Sequence, residues 1–137
     1  MNYLVDTNVL SELRRKTPDP GVVAWFEEQP ARRLYLSVLT LGEIRKGIDV
    51  LPDGDKRVSL QNWLENDLPR FFLGRVLMID TPVVDCWGRS LARLGRPVPA
   101  IDSLIAATAL HHGLTLVTRN TRDFDFPGLS LINPWGQ

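Results

Sequence analysis

The chain holds one cysteine, Cys86, only three lysines (Lys16, Lys46 and Lys56) and no net charge. One cysteine forms neither an internal disulfide nor a thiolate zinc centre, and in its apolar helical setting Cys86 reads as a small buried hydrophobe. Lys and Arg total 16 and Asp and Glu total 16, so there is no global positive field of the kind that marks many nucleic-acid binders. A long apolar run is missing too. The longest uncharged stretch, Ser103 to Thr118, contains His111-His112-Gly113 and falls short of the roughly 18 residues of a membrane span. No basic segment and apolar run open the chain, so no signal peptide is expected and the predicted location is cytoplasmic. No Ser/Gly linker, low-complexity tract or internal repeat divides the sequence. Residues 1–137 therefore read as a single domain, long enough to bury roughly two-thirds of its unfolded surface.

What is present is arginine in local groups: Arg14-Arg15-Lys16, Arg32-Arg33, Arg45-Lys46, and Arg119 with Arg122. Such groups suit an RNA backbone or an acidic partner surface, or simply form solvated helix faces. Apolar periodicity supplies the elements. Tyr3-Leu4-Val5 reads as a strand, followed by a helix that buries Val9, Leu10 and Leu13. A Pro-rich break at 17–21 precedes a short helix carrying Val22, Trp25 and Phe26, closed near Pro30. Leu34 to Ser37 is a second strand, and a helix runs from Val38 to about Val50. Leu60, Trp63, Leu64 and Leu68 mark a helix ending at Pro69; Val84, Trp87, Leu91 and Leu94 mark another, stopped by Gly95. Val76 to Ile79 is a strand between them. Ile101 to His111 is helical with Gly113 as its cap, Leu114 to Thr118 is the fourth strand, and Leu129 to Ile132 the last. Alternating strands and helices predict an α/β domain, three layers deep, on a largely parallel sheet of about five strands.

That architecture decides where four acids go. In a parallel sheet every strand ends on one edge and each crossover helix begins there. Asp6 follows strand one, Glu43 lies in the second turn of the helix after strand two, Asp102 opens the helix that feeds strand four, and Asp123 lies five residues past that strand. Each alone has an ordinary explanation: Asp6 and Asp102 as helix-terminus residues, Asp123 as a turn residue. Glu43, in a mostly apolar segment, does not. Four carboxylates on one edge repel one another unless a cation sits among them, and oxygen ligands suit Mg²⁺ or Mn²⁺. Asp6 and Asp102, tethered most closely to regular structure, are the expected direct ligands, with Glu43 and Asp123 acting through water or a second ion. Asn8, Thr118 and Asn120 share the edge and are expected to orient a carboxylate, water or phosphate. Ser37 reads as a helix cap. Such a site suits metal-assisted phosphodiester hydrolysis.

Adjacent His111 and His112 point about 100° apart on a helix and do not form a ligand pair. Trp25, Trp63 and Trp87 fall on apolar faces and read as core; Trp135, in the Asn133-Pro134-Trp135-Gly136 tail, is the one tryptophan expected to be exposed.

Four segments resemble the motifs of the PIN-domain ribonucleases, specifically the VapC-like toxins of toxin-antitoxin pairs. They are 3–12 (Tyr3-Leu4-Val5-Asp6-Thr7-Asn8-Val9-Leu10-Ser11-Glu12), 37–47 around Glu43 with Gly47 four residues on, 101–109 opening Ile101-Asp102-Ser103, and 117–124 from Val117-Thr118-Arg119-Asn120 to Asp123-Phe124. The resemblance runs almost the whole length, with no departure at the four acids. It implies a Mg²⁺- or Mn²⁺-dependent endoribonuclease held inactive by a cognate antitoxin whose basic side chain reaches the acidic pocket. It also implies a homodimer and contact with DNA only through the antitoxin. The Ser103 hydroxyl would assist ligand orientation. A haloacid-dehalogenase-type phosphatase would need an acid where Asn8 stands and a late lysine, and a phospho-receiver would need a late-strand lysine; a PIN fold kept only for binding predicts a damaged acidic set.

Overall fold

In the computed structural model, which describes residues 1–136, five parallel strands pair in the order β3-β2-β1-β4-β5. They are β1 (Tyr3–Val5), β2 (Leu34–Ser37), β3 (Val76–Leu77), β4 (Thr115–Val117) and β5 (Leu131–Ile132). The helices are α1 (Thr7–Leu13), α2 (Pro20–Glu28), α3 (Val38–Asp49), α4 (Asp55–Asn62), α5 (Leu68–Phe71), α6 (Thr81–Leu94) and α7 (Ala100–His112). The expected three-layer α/β/α arrangement is what forms. Side chains alternate across a strand, so neighbours in β1 and β4 serve opposite cores. Val5 and Val117 pack with α1, α2, α3 and the α4–α5 segment through Val9, Val22, Ile44, Leu64 and Phe72. Leu4 and Leu116 pack with α7 through Ile105, Ala106 and Ala109. Complete burial of side chains such as Leu34, Leu36 and Leu116 contributes roughly 1.5–3 kcal/mol each. Among the described residues no helix is long and apolar enough to cross a membrane.

Chain order positions the site. From β1 the chain moves outward to β2 and β3, then returns through α6 and α7 to β4 on the other side of β1. The reversal makes the crevice past the carboxyl ends of β1 and β4 the topological switch point, where open parallel sheets bind ligands. Register aligns Val5 with Val117, so the next residues, Asp6 and Thr118, are neighbours across that crevice. Gly113, at φ +66°, ends α7 in a left-handed turn and feeds Leu114 into β4.

Several local expectations need correction. The helix expected to end at Pro69 continues through it. α4 passes into a π-helical turn at Trp63–Asp67 and then into α5, with Pro69 near its start. Proline lacks an N–H and its ring clashes with the carbonyl four residues back; the wider π turn directly ahead gives that ring room. Trp135 is half-buried against the core rather than free, with Arg119 over its ring at 5.4 Å. Cys86 is only half-buried. Ser103, instead of facing the acids, is buried in the α6–α7 contact, where its hydroxyl donates to the Ala100 carbonyl and accepts from Trp87 Nε1, both at 2.8 Å.

Candidate active site

Asp6 directly follows β1 and caps α1, and its two carboxylate oxygens have separate partners. Oδ1 accepts from the Thr7 backbone N–H at 2.8 Å, and Oδ2 accepts from the Thr118 hydroxyl at 2.8 Å. The Asp6 backbone N–H continues the sheet ladder to the Val117 carbonyl at 2.9 Å. Asp6 is thus fixed from three directions and is only 7% exposed. Thr118 is fully buried, and its oxygen also accepts from Asn8 Nδ2 at 3.2 Å and the Asn120 backbone N–H at 3.1 Å. Asn8 in turn accepts from the Arg119 backbone N–H at 3.4 Å. Asn8, Thr118 and Asn120 therefore meet around Asp6, although Asn120 does so through its backbone.

Glu43 is held in the same neighbourhood by a residue that sequence reasoning passed over. The Thr7 hydroxyl donates to Glu43 Oε1 at 2.6 Å and lies 3.2 Å from the hydroxyl of buried Thr40. Parallel pairing of β1 and β2 sets the start of α1 beside the start of α3, and that was the available signal. Ser37 caps α3 through the Leu39 N–H at 3.1 Å, as expected. Asp102 lies half-buried in the first turn of α7, and Asp123 is exposed on a 3-10 turn at Thr121–Phe124.

Electrostatics tie the four together. Burial, chiefly, pushes the Asp6 carboxyl above its ordinary value; hydrogen bonds from Thr118 and the Thr7 backbone oppose this, while the charges of Glu43 and Asp102 reinforce it. Asp102 is likewise raised, first by burial and then by the charges of Asp123 and Glu43. Among the described residues no Lys, Arg or His forms an ion pair with any of the four. Glu12, the other buried acid of the first motif, differs. The Asp19 backbone N–H at 2.9 Å, helped by Arg15 at 3.3 Å, holds its carboxyl below the ordinary value, and it serves the turn into α2.

A divalent cation fits this chemistry: Asp6 and Asp102 are destabilised as anions, and among the described residues none of the four acids has a protein counter-charge. The fit is a loose one. Among the described residues no three His, Cys, Asp or Glu side chains converge closely enough to hold an ion by themselves. That matches the habit of Mg²⁺, which takes one or two carboxylates and completes its sphere with water and phosphate oxygens. His111 and His112, packed edge to face at 4.8 Å, lie at the far end of α7, about 13 Å along the helix from Asp102.

The PIN domain family model matches residues 3–127. The chain belongs to the PIN-domain family. It is 39% identical over 135 residues to the VapC ribonuclease Y4jK of Sinorhizobium fredii, covering 96% of each chain. It is 40% identical over 135 residues to the toxin FitB of Neisseria gonorrhoeae, covering 96% of this chain and 97% of FitB. The solved structure of FitAB bound to an IR36 DNA fragment superposes with a TM-score of 0.90 at 36% identity, covering 98% of this PIN domain and 96% of that chain. The position two residues beyond Asp6, where a haloacid-dehalogenase phosphatase carries an acid, holds an asparagine that instead braces Thr118.

Proposed function

We propose that this PIN domain is a metal-dependent endoribonuclease, the toxin of a toxin-antitoxin pair, and that a cognate antitoxin inhibits it. The observation that carries the reading is the cluster of Asp6, Glu43, Asp102 and Asp123 at the switch point, with Asp6 destabilised as an anion chiefly by burial and further by the charges of Glu43 and Asp102. The names of the relatives, a VapC ribonuclease and a toxin, support it.

Asp6 and Asp102 are the residues to hold Mg²⁺ or Mn²⁺, with Glu43 and Asp123 in supporting positions. Such an ion, when bound, lowers the pKa of an attached water and neutralises charge on a phosphodiester. The protein's own part is orientation. Thr118 and the Thr7 N–H fix both oxygens of Asp6, so the carboxylate presents its remaining lone pairs in one direction. The Thr7 hydroxyl aims Glu43, leaving Oε2 free of that bond to accept from a water. The cluster also suits an arginine from an antitoxin, for the same electrostatic reason that it suits a cation. We place the enzyme in the cytoplasm as a homodimer that meets DNA only through its antitoxin; the solved structure of FitAB bound to an IR36 DNA fragment supports the association with DNA.

The test is cleavage of a mixed RNA pool by antitoxin-free protein in Mn²⁺, Mg²⁺ or EDTA. Cleavage should require metal, and Asp6→Asn or Asp102→Asn should lower it at least a hundredfold while the fold and antitoxin binding persist. Metal-independent cleavage, or wild-type rates in both variants, would sink the reading. A folded wild-type protein that binds antitoxin but cuts nothing would point to a PIN fold kept for binding alone.

A further inference from the structure

Beside the acidic site lies an open groove of about 690 Å³, running between the end of α1 and α4 and reaching Thr7 and Glu43 at one end. Its charge is opposite to that of the site. Arg14, Lys16 and Lys56 line it, and all three are exposed. Arg15 lines it too but is paired with Glu12. Arg14 is held in place: its guanidinium sits 5.3 Å from the centroid of the Trp63 ring and donates to the Ser59 hydroxyl at 3.1 Å. No ion pair joins Arg14, Lys16 or Lys56 to an acid among the described residues. Part-buried Leu60 and Trp63, with Ile44 and Ile48, give the groove an apolar wall, and Ser11, Thr17 and Ser59 add hydroxyls.

We propose that this groove is the track for the single-stranded RNA that enters the acidic site, with Arg14, Lys16 and Lys56 holding the phosphates of nucleotides adjoining the cut. The inference rests on the nuclease reading above and adds to it the path of the strand. Three facts favour a nucleic acid. The groove is continuous with the carboxylate cluster through Glu43, so a chain lying in it delivers its next phosphodiester there. Its unpaired charges are all positive apart from Glu43 in a molecule of zero net charge, so attraction for a polyanion that is absent globally exists here locally. Arg14, braced by Trp63 and Ser59, offers a fixed planar guanidinium whose remaining N–H groups suit one phosphate, while the ammonium groups of Lys16 and Lys56 take two others.

The experiment uses the full chain, free of antitoxin, in an Asp6→Asn background so that the probe stays intact. Binding of a fluorescein-labelled mixed-sequence 12-nucleotide RNA is followed by anisotropy in Mg²⁺ from 50 to 200 mM KCl. Combined Arg14→Ala, Lys16→Ala and Lys56→Ala should weaken binding about tenfold or more at the low-salt end and flatten the slope of log K against log[salt] by about 2, as loss of three single-strand phosphate contacts requires. Lys16→Ala with Lys56→Ala, which leaves Arg14 on Trp63 undisturbed, should give about two-thirds of that change. Arg93→Ala, on α6 outside the groove, should match the parent. An unchanged slope and affinity in the triple variant overturns the proposal, as does a parent that binds no RNA. Retained RNA binding with loss of antitoxin assigns the groove to a peptide partner and overturns it equally. Failure here, beside metal-dependent cleavage lost in Asp6→Asn, would leave the nuclease reading standing; absence of cleavage by the wild type would remove that reading on separate grounds.

Discussion

Thr118 carries more of the site than its size suggests. Its oxygen donates to Asp6 and accepts from both Asn8 and the Asn120 backbone, with no exposure to solvent. Removing it leaves Asp6 Oδ2 without its donor, Oδ1 keeping only the Thr7 N–H, and frees the Asn8 and Asn120 donors, which lie nearer solvent; an unsatisfied buried group costs about 1–3 kcal/mol. Thr118→Val, nearly isosteric, should therefore destabilise the protein by roughly 2 kcal/mol or more, measured by urea unfolding, and should lower RNA cleavage by displacing Asp6. Thr118→Ser should restore most of both; a valine variant of wild-type stability would show that water replaces the hydroxyl. At this scale the sequence was readable wherever a residue's place follows from its position at a strand or helix end. Asp6, Glu43, Asp102, Asn8 and Thr118 all belong to that group. Thr7 was not found, because a hydroxyl at a helix start has an ordinary local use and its bond to Glu43 depends on a pairing 36 residues away. Ser103 misled for the opposite reason. It neighbours Asp102 in sequence, but adjacent residues on a helix point about 100° apart, and its own direction was set by Trp87.

Among the elements, α7 links the site to the sheet: Asp102 stands in its first turn and Gly113 turns it into β4 at its last. The left-handed conformation at Gly113 costs a residue with a Cβ roughly 1–2 kcal/mol, although no atom would crowd that Cβ. Gly113→Ala should lower the unfolding free energy by about 1 kcal/mol, with Gly113→Asn less affected because asparagine tolerates this region. A loss well above that in a chemical melt would mean that the turn also sets the register of β4. Apolar spacing and the two glycine caps made the helices and buried strands legible, with β1 and β2 bounded as expected and α4 beginning at Asp55, ahead of the apolar pattern that starts at Leu60. Its failure at Pro69 has a physical cause. Proline is incompatible with an α-helical interior but not with the turn that follows a π bulge, and the bulge is held by the packing of Leu64 and Leu68 into the core, which local sequence does not display.

For the molecule as a whole, gathering acids at one sheet edge sets stability against function. Asp6 titrates above its ordinary value in the folded protein, so in the absence of metal the fold favours its protonated form relative to the unfolded chain. The favourable contribution is complete below the unfolded pKa, about 3.9 for an aspartate, and is lost as pH rises through the folded value. Asp102 has the same sign. Glu12, lowered, and His112, lowered by burial and by His111, have the opposite one, so the total pH profile mixes both and a difference measurement is needed. In EDTA, Asp6→Asn should become progressively more stable relative to wild type between about pH 4 and neutrality, with no such trend for Ser11→Ala on the adjoining helix. Added Mn²⁺ should then stabilise the wild type more at pH 7 than at pH 5, because a ligand that binds only the folded form stabilises in proportion to its occupancy and protons compete for the same carboxylates. Parallel urea melts of wild type and Asp6→Asn across that range decide the matter. A difference independent of pH would mean that Asp6 is not strained as an anion, and the electrostatic case for a cation at this edge would then rest on Asp102 alone.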